Sequence, residues 1–304
     1  MAKLSKPLAL RPGSTIGVAA VSGPVDEERL SAGVRALEAR GYRVVEASNL
    51  RRKDGFLAGS DRERAAGYRQ LLRDSSVDAI FFARGGYGAA RVLPLLDAGE
   101  ARENPKIHLG GSDLTALFGW LRQETGLVCC YGPMVAVEMA GEDGLDWESV
   151  LTGAIPRARR FDRADVLAAG SGEGPLVGGC LSLLASLAGT PAALEADGCV
   201  LFWEDVGEAA YRLDRMLTQL EQAGTFDTLR GMVIGSVTPP AGETAVFVRE
   251  WLADRFGRAP FPVALGLPAG HLPRPRTLPL GLPVRLSLGE EPALEFLEPA
   301  VCAP

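Results

Sequence analysis

The sequence predicts an α/β protein: a doubly wound domain on a parallel sheet, then a second α/β domain. Two observations carry that expectation. Through residues 1–150, short apolar runs of strand length alternate with helical stretches that keep one apolar face, the βαβ rhythm of a parallel sheet covered on both sides. Beyond a charged, weakly periodic stretch at 151–172, read as a linker, strands and helices resume over 173–304. With 304 residues, 47% of them hydrophobic, the chain can bury one large core or two medium ones.

Taken in order, "TIGVAAV" (15–21) reads as a buried strand, "SGPVD" as a turn and "EERLSAGVRALEAR" as an amphipathic helix stopped by Gly41. "YRVVEAS" is the next strand. "SDRERAAGYRQLLRD" is a helix whose Ser60 and Glu63 have capping-box spacing, and "VDAIFFAR" is a strand. A helix from Ala89 to Asp97, strand "KIHLGGS", helix "LTALFGWLRQE" and strand "LVCCYGP" continue the rhythm. In the second half "CVLFWEDV" is an apolar strand ending in acids, "RLDRMLTQLEQAG" a helix with a glycine stop, and "GMVIGSV" a strand. The Pro-rich "AGHLPRPRTLPLGLP" cannot be helical and reads as an ordered loop, while "PVRLSLGEEPALEFLE" alternates around a Gly-Glu turn as an antiparallel hairpin does.

Composition narrows the function. A net charge of -6 argues against a broad footprint for DNA or RNA, so no nucleic-acid partner is expected and a small molecule or peptide is. The N-terminal segment lacks an apolar h-region and a small-residue cleavage site, and no apolar run reaches spanning length, so no membrane partner and a cytoplasmic location are expected. The five cysteines form no C-x-x-C pair and read as reduced thiols. With two histidines in the chain, no metal site and no cofactor are expected.

In open α/β sheets ligands bind at the carboxyl ends of strands. Three turns fall there: "ARGGYG" (83–88), "GGSD" (110–113) and "WED" (203–205). Ser112, on a tight strand-to-helix turn, has the placement of a nucleophile elbow, although Leu114 stands where G-x-S-x-G would have its second glycine. Its other reading is a helix cap, a position serine and aspartate favour. The "RGGYG" turn lacks the full G-x-G-x-x-G or Gly-Lys-Ser/Thr of phosphate sites; glycine there instead lets backbone amides approach a reacting carbonyl. Gly86 can then supply one oxyanion-hole N–H and Asp113 the other. A serine needs a base: His108 lies inside an apolar strand and reads as a core residue, whereas His271 sits in the Pro/Gly-rich loop. Glu204, Asp205, Glu208 and Asp214 are the acids available to orient it, with favourable charge at a helix start as their plainer role.

Together these stretches resemble the LD-carboxypeptidase family of serine peptidases, which includes the microcin C immunity peptidases. The resemblance rests on "GSTIGVAAVSGPVD", "FLAGSDRERAA", "VDAIFFARGGYGAARVLPLLD", "GGSDLTALFGWL", "YGPM", "GGCLSLLASLAGTP", "LFWEDVGEAAYRLDRML" and "GHLPRPRTLPLG", in order from 13 to 281. It implies a Rossmann-like N-terminal domain of the class I glutamine amidotransferase type, a smaller C-terminal α/β domain, and a homodimer. It implies a metal-free Ser-His-Glu triad of Ser112, His271 and Glu204, with the Gly86 and Asp113 amides as oxyanion hole. The implied reaction removes the terminal D-alanine of murein tetrapeptides in cell-wall recycling. The immunity branch instead cleaves an aspartyl peptide end from a modified nucleotide. Arg84 is expected to contact an anionic substrate, with Arg274 and Arg276 nearby. One departure stands out: where the family reads G-G-N-L, this chain has Gly178, Gly179, Cys180 and Leu181. A competing reading is a non-catalytic ligand-binding protein of the same fold with Ser112 as a cap. A cysteine-dependent amidotransferase fails, because serine occupies the elbow.

Overall fold

A computed structural model describes residues 3–303. They group into two units: the chain up to Ala154 with Pro273–Pro279 and the residues from Pro299 on, and Ile155–Leu272 with Leu280–Glu298.

The first unit contains β1 (Thr15–Ala19), α1 (Glu27–Glu38), β2 (Arg43–Glu46), α2 (Asp61–Arg73), β3 (Ala79–Phe82), α3 (Ala89–Val92), α4 (Ala98–Glu103), β4 (Ile107–Gly110), α5 (Thr115–Thr125), β5 (Cys129–Tyr131) and α6 (Trp147–Leu151). Residues in β1, β3, β4 and β5 are buried throughout, as strands covered on both faces must be. The helices carry the expected punctuation. Asp26 caps α1 through Arg29 N at 2.9 Å, the Ser60–Glu63 capping box opens α2, and Gly126 closes α5 in the left-handed region at φ 72°. The single helix expected over 89–97 is instead α3, a 3-10 turn at Leu93–Leu95 and a separate α4. Pro94 supplies no N–H to continue the ladder, and Asp97 restarts it by accepting from Gly99 N at 2.8 Å.

β1 pairs in parallel with both β2 and β3, β3 with β4, and β4 with β5. From β1 the chain therefore winds outward in both directions. The reversal lies between β1 and β3, and it puts the loops after those strands side by side at the carboxyl edge.

The second unit holds β6 (Arg159–Arg160), β7 (Val166–Ala168), β8 (Gly170–Cys180), α7 (Leu181–Leu187), β9 (Val200–Val206), α8 (Ala210–Gln222), β10 (Gly231–Thr238), α9 (Ala245–Phe256) and β11 (Val263–Leu265). After β12 (Leu278–Leu280), which completes the first sheet in the order β12-β5-β4-β3-β1-β2, come β13 (Pro283–Leu288) and β14 (Ala293–Phe296). The second sheet runs β6-β14-β13-β8-β9-β10-β11-β7. The hairpin read from alternation is present, with Val284 opposite Phe296. Trp203, Leu201, Leu213, Leu217, Ile234 and Leu252 are buried in its core. Each such side chain contributes roughly 1.5–3 kcal/mol on leaving water.

Two domain expectations differ from the structure. The stretch 151–172 is not a free linker, since it carries β6, β7 and the start of β8, all in the second sheet. Nor does everything after 173 belong to the second unit: Pro273–Pro279 and the residues from Pro299 on return to the first.

Candidate active site

β4 ends at Gly110, and two residues later the backbone turns through Ser112 at φ 59°, the one non-glycine residue at positive φ among those described. A left-handed conformation costs an L-residue about 1–2 kcal/mol. It is held locally by Ser112 N donating to the Tyr131 hydroxyl at 2.8 Å and by Thr115 Oγ1 donating to Ser112 O at 2.7 Å. The cap reading does not fit this geometry. Neither the 3-10 turn Ser112–Leu114 nor α5 has a side-chain cap bond, and the residue preceding α5 is Leu114.

The glycine turn after β3 lies directly against this serine. A Cβ on Gly85 would stand 2.7 Å from Ser112 Cβ, 2.8 Å from Ser112 Oγ and 3.3 Å from Asp113 N, so only glycine fits there. Gly86, exposed and at φ 113°, follows. Arg84 is exposed and donates from Nη1 to Pro24 O at 3.1 Å. Asp113 also has a side-chain role that its sequence position does not announce. Its buried carboxylate accepts from Ser22 Oγ at 2.6 Å and Ala89 N at 2.8 Å. Burial pushes its pKa up, opposed by those two bonds and by the charge of Arg64.

In the second unit, β9 carries Glu204 at 0% exposure. Its Oε2 accepts from His271 N at 3.0 Å and meets His271 Nδ1 at 2.8 Å. A carboxylate has no proton to give, so Nδ1 is the donor and the basic lone pair falls on Nε2. The imidazole is 27% exposed, partly open above a buried acid. Two glycines make room for that acid. A Cβ on Gly270, at φ 104°, would lie 2.4 Å from Glu204 Oε2, and one on Gly235 would lie 2.9 Å from Glu204 Cβ. Neither glycine signals this role in the sequence, because the need for it arises only when β10 and the histidine loop fold beside β9.

The other three acids are engaged elsewhere. Asp205 accepts from Ser182 N at 2.7 Å and Val206 N at 2.8 Å, serving the start of α7, and burial raises its pKa. Glu208 faces Arg212 at 3.5 Å, and Asp214 pairs with Arg255 at 2.8 Å. Cys180 lies opposite Glu204 on β8, buried, with Sγ 3.2 Å from Ser182 Oγ and 3.7 Å from Asp205 Oδ2. Burial and the neighbouring Asp205 and Glu204 push that thiol well up, so it stays protonated and unreactive. His108 is buried between the Tyr68 hydroxyl at 2.8 Å and Lys106 O at 2.9 Å, and burial holds it down to about 4. It is neutral near pH 7. Arg274 faces Glu142 at 3.8 Å. Among the described residues no group of three or more His, Cys, Asp or Glu could hold a metal ion, and no helix is long and apolar enough to cross a membrane.

Comparison with known proteins places the chain. The LD-carboxypeptidase N-terminal domain matches residues 16–132 and the LD-carboxypeptidase C-terminal domain matches 173–286. A carboxypeptidase-named protein of Streptomyces coelicolor is 40% identical, with 100% of each chain covered. The chain belongs to the LD-carboxypeptidase family. Within that family of hydrolases, it is 34% identical to the "Probable murein peptide carboxypeptidase" of Bacillus subtilis over 95% of this chain and 93% of that one. The LD-carboxypeptidase fold is shared with the muramoyltetrapeptide carboxypeptidase of Oxalobacter formigenes, with a TM-score of 0.82 at 27% identity over 96% of this chain and 100% of that one. The wild-type apo form of the microcin C7 self-immunity protein, known in Escherichia coli, has a TM-score of 0.88 at 23% identity over 98% of this chain and 100% of that one. That last likeness is one of fold.

Proposed function

We propose that this LD-carboxypeptidase family member is a serine peptidase that removes the terminal D-alanine of murein tetrapeptides by acyl transfer. Ser112 is the nucleophile, His271 the base and Glu204 the acid that orients it. The observation that carries the reading is the strained Ser112 turn, which fixes a hydroxyl at a strand's carboxyl end with a glycine turn against it. His271 Nε2 takes the serine proton as Oγ attacks the carbonyl of the L-centre, and the Gly86 and Asp113 amides receive the negative charge. The same imidazole then returns the proton to the amine of departing D-alanine, and water releases the tripeptide. Glu204 keeps the proton on Nδ1 and stabilises the imidazolium. Arg84 offers a cation to the peptide's terminal carboxylate. No metal or cofactor takes part in these steps.

The test is release of free D-alanine from L-Ala-γ-D-Glu-meso-diaminopimelate-D-Ala by the protein and its Ser112→Ala variant, with a chelator present. Release by the unmodified protein alone is the expected result. Equal release by both removes Ser112 as nucleophile. Release by neither, with cleavage of an aspartyl-nucleotide conjugate, moves the chain to the immunity-type reaction, and silence on both substrates points to ligand binding without chemistry.

A further inference from the structure

Arg64 projects from α2 into the first unit and is completely buried, which is costly for a charge unless its donors are satisfied. They are satisfied by three different loops. Nε donates to Gly59 O at 3.2 Å, Nη1 to Gly88 O at 2.8 Å and to Val21 O, and Nη2 pairs with Asp61. Asp61 is itself held by Arg91 at 2.9 Å. One guanidinium thus ties together the loop after β1, the entry to α2 and the glycine turn after β3. The turn can come this close because Gly88, at φ 125°, has no side chain: a Cβ there would lie 2.7 Å from Nη1.

Two more bonds from the β1 loop brace the same turn, one through Asp113 and one directly. Ser22 Oγ donates to the Asp113 carboxylate at 2.6 Å, and that carboxylate also accepts from Ala89 N, just past the turn. Gly23 N donates to Gly85 O at 3.2 Å. No cis peptide bond occurs among the described residues, so Gly85 C=O and Gly86 N–H point in opposite directions. Fixing the carbonyl on Gly23 therefore fixes where the Gly86 amide aims. The turn is anchored before Gly86 by Gly23 and after it by Arg64 and Asp113, while Gly85 presses on Ser112 between them.

We infer that buried Arg64, with Ser22, is a positioning residue that sets the aim of the Gly86 amide beside Ser112. This rests on the reading of Ser112 as a nucleophile. An oxyanion donor acts only within a narrow distance range, so loosening the turn slows formation of the tetrahedral species without weakening ground-state binding. A residue serving stability alone would change the folded fraction and leave the chemistry of folded molecules intact.

The experiment compares Ser22→Ala and Arg64→Lys with the unmodified protein. Ser22→Ala removes one hydroxyl. Arg64→Lys keeps the charge but loses the fork that spans separated carbonyls. The readouts are the rate of Ser112 modification by a fluorophosphonate, followed by intact mass, the kcat and KM for the tetrapeptide, and a thermal melt. Both variants are expected to lose about tenfold in modification rate and kcat, with KM within about twofold and the protein folded at assay temperature. Unchanged modification rates, a rise in KM alone, or losses that disappear on correction for folded fraction overturn the inference. If the unmodified protein reacts at Ser112 yet releases no D-alanine, only the murein reading falls, and the modification rates still decide the role of Arg64. If Ser112 does not react at all, both fall together.

Discussion

Glu204 and Asp205 are neighbours in one strand, and the structure gives them different work. Glu204 meets His271, whereas Asp205 serves the start of α7. Glu204→Gln is therefore expected to lower kcat by roughly 10³–10⁴, because the amide can present a donor to Nδ1 and favour the wrong tautomer. Asp205→Asn, which still accepts from Ser182 N, is expected to stay within about tenfold. Steady-state D-alanine release separates the two. Gly270 is as demanding as the acid it faces: a Cβ there would lie 2.4 Å from Glu204 Oε2 on a backbone at φ 104°. Gly270→Ala is expected to cost about 1–3 kcal/mol in denaturant unfolding and to reduce activity with it. The thiols divide equally sharply. Cys302 is exposed, while Cys129, Cys130, Cys180 and Cys199 are buried, with Cys130 pushed up to about 12 by burial. Alkylation at pH 8 is expected to modify Cys302 quickly and the other four only after unfolding, as mass spectrometry would show.

At the scale of elements, the legible ones were those whose local chemistry and tertiary role agree. β1, α2 and the β13–β14 hairpin carry their own periodicity and caps. β8 does not: its start, residues 170–172, falls in the glycine-rich end of the stretch read as a linker, yet the element is an 11-residue strand. Its glycines admit backbone from elsewhere, since a Cβ on Gly172 would lie 1.7 Å from Arg230 O and one on Gly178 1.7 Å from Phe202 O. α9 was hidden for the opposite reason, with Val246 and Phe247 exposed and no clean apolar stripe. Across elements, α2 and α4 are joined by an acid-sensitive cluster. Arg69, 2.9 Å from Glu100, and Arg73 hold the Glu100 carboxyl down to about 2 from an ordinary value of 4.5. Its stabilisation is complete above that ordinary value and is lost as pH falls toward about 2. Glu100→Gln is expected to flatten the dependence of unfolding free energy on pH across that window, measured by urea melts.

Over the full chain, Ser112, Glu204 and His271 were visible in the sequence through strand-end turns and an unusual histidine loop. What supports them was not visible: Tyr131, Gly235, Gly270 and Arg64 act through contacts made by folding, and their residue types have ordinary explanations in isolation. The chain's division is also less linear than its sequence, because Pro273–Pro279, just after His271, belongs with the unit that carries Ser112. The proposed mechanism assigns Ser112 in one unit and His271 in the other to a single reaction. The most direct test is the rate of D-alanine release by Ser112→Ala, His271→Ala and the double variant. Residues acting as one catalytic unit are strongly non-additive, so the double variant is expected to be about as slow as the slower single variant. Losses that multiply, or a His271→Ala protein with undiminished kcat, would contradict a shared site.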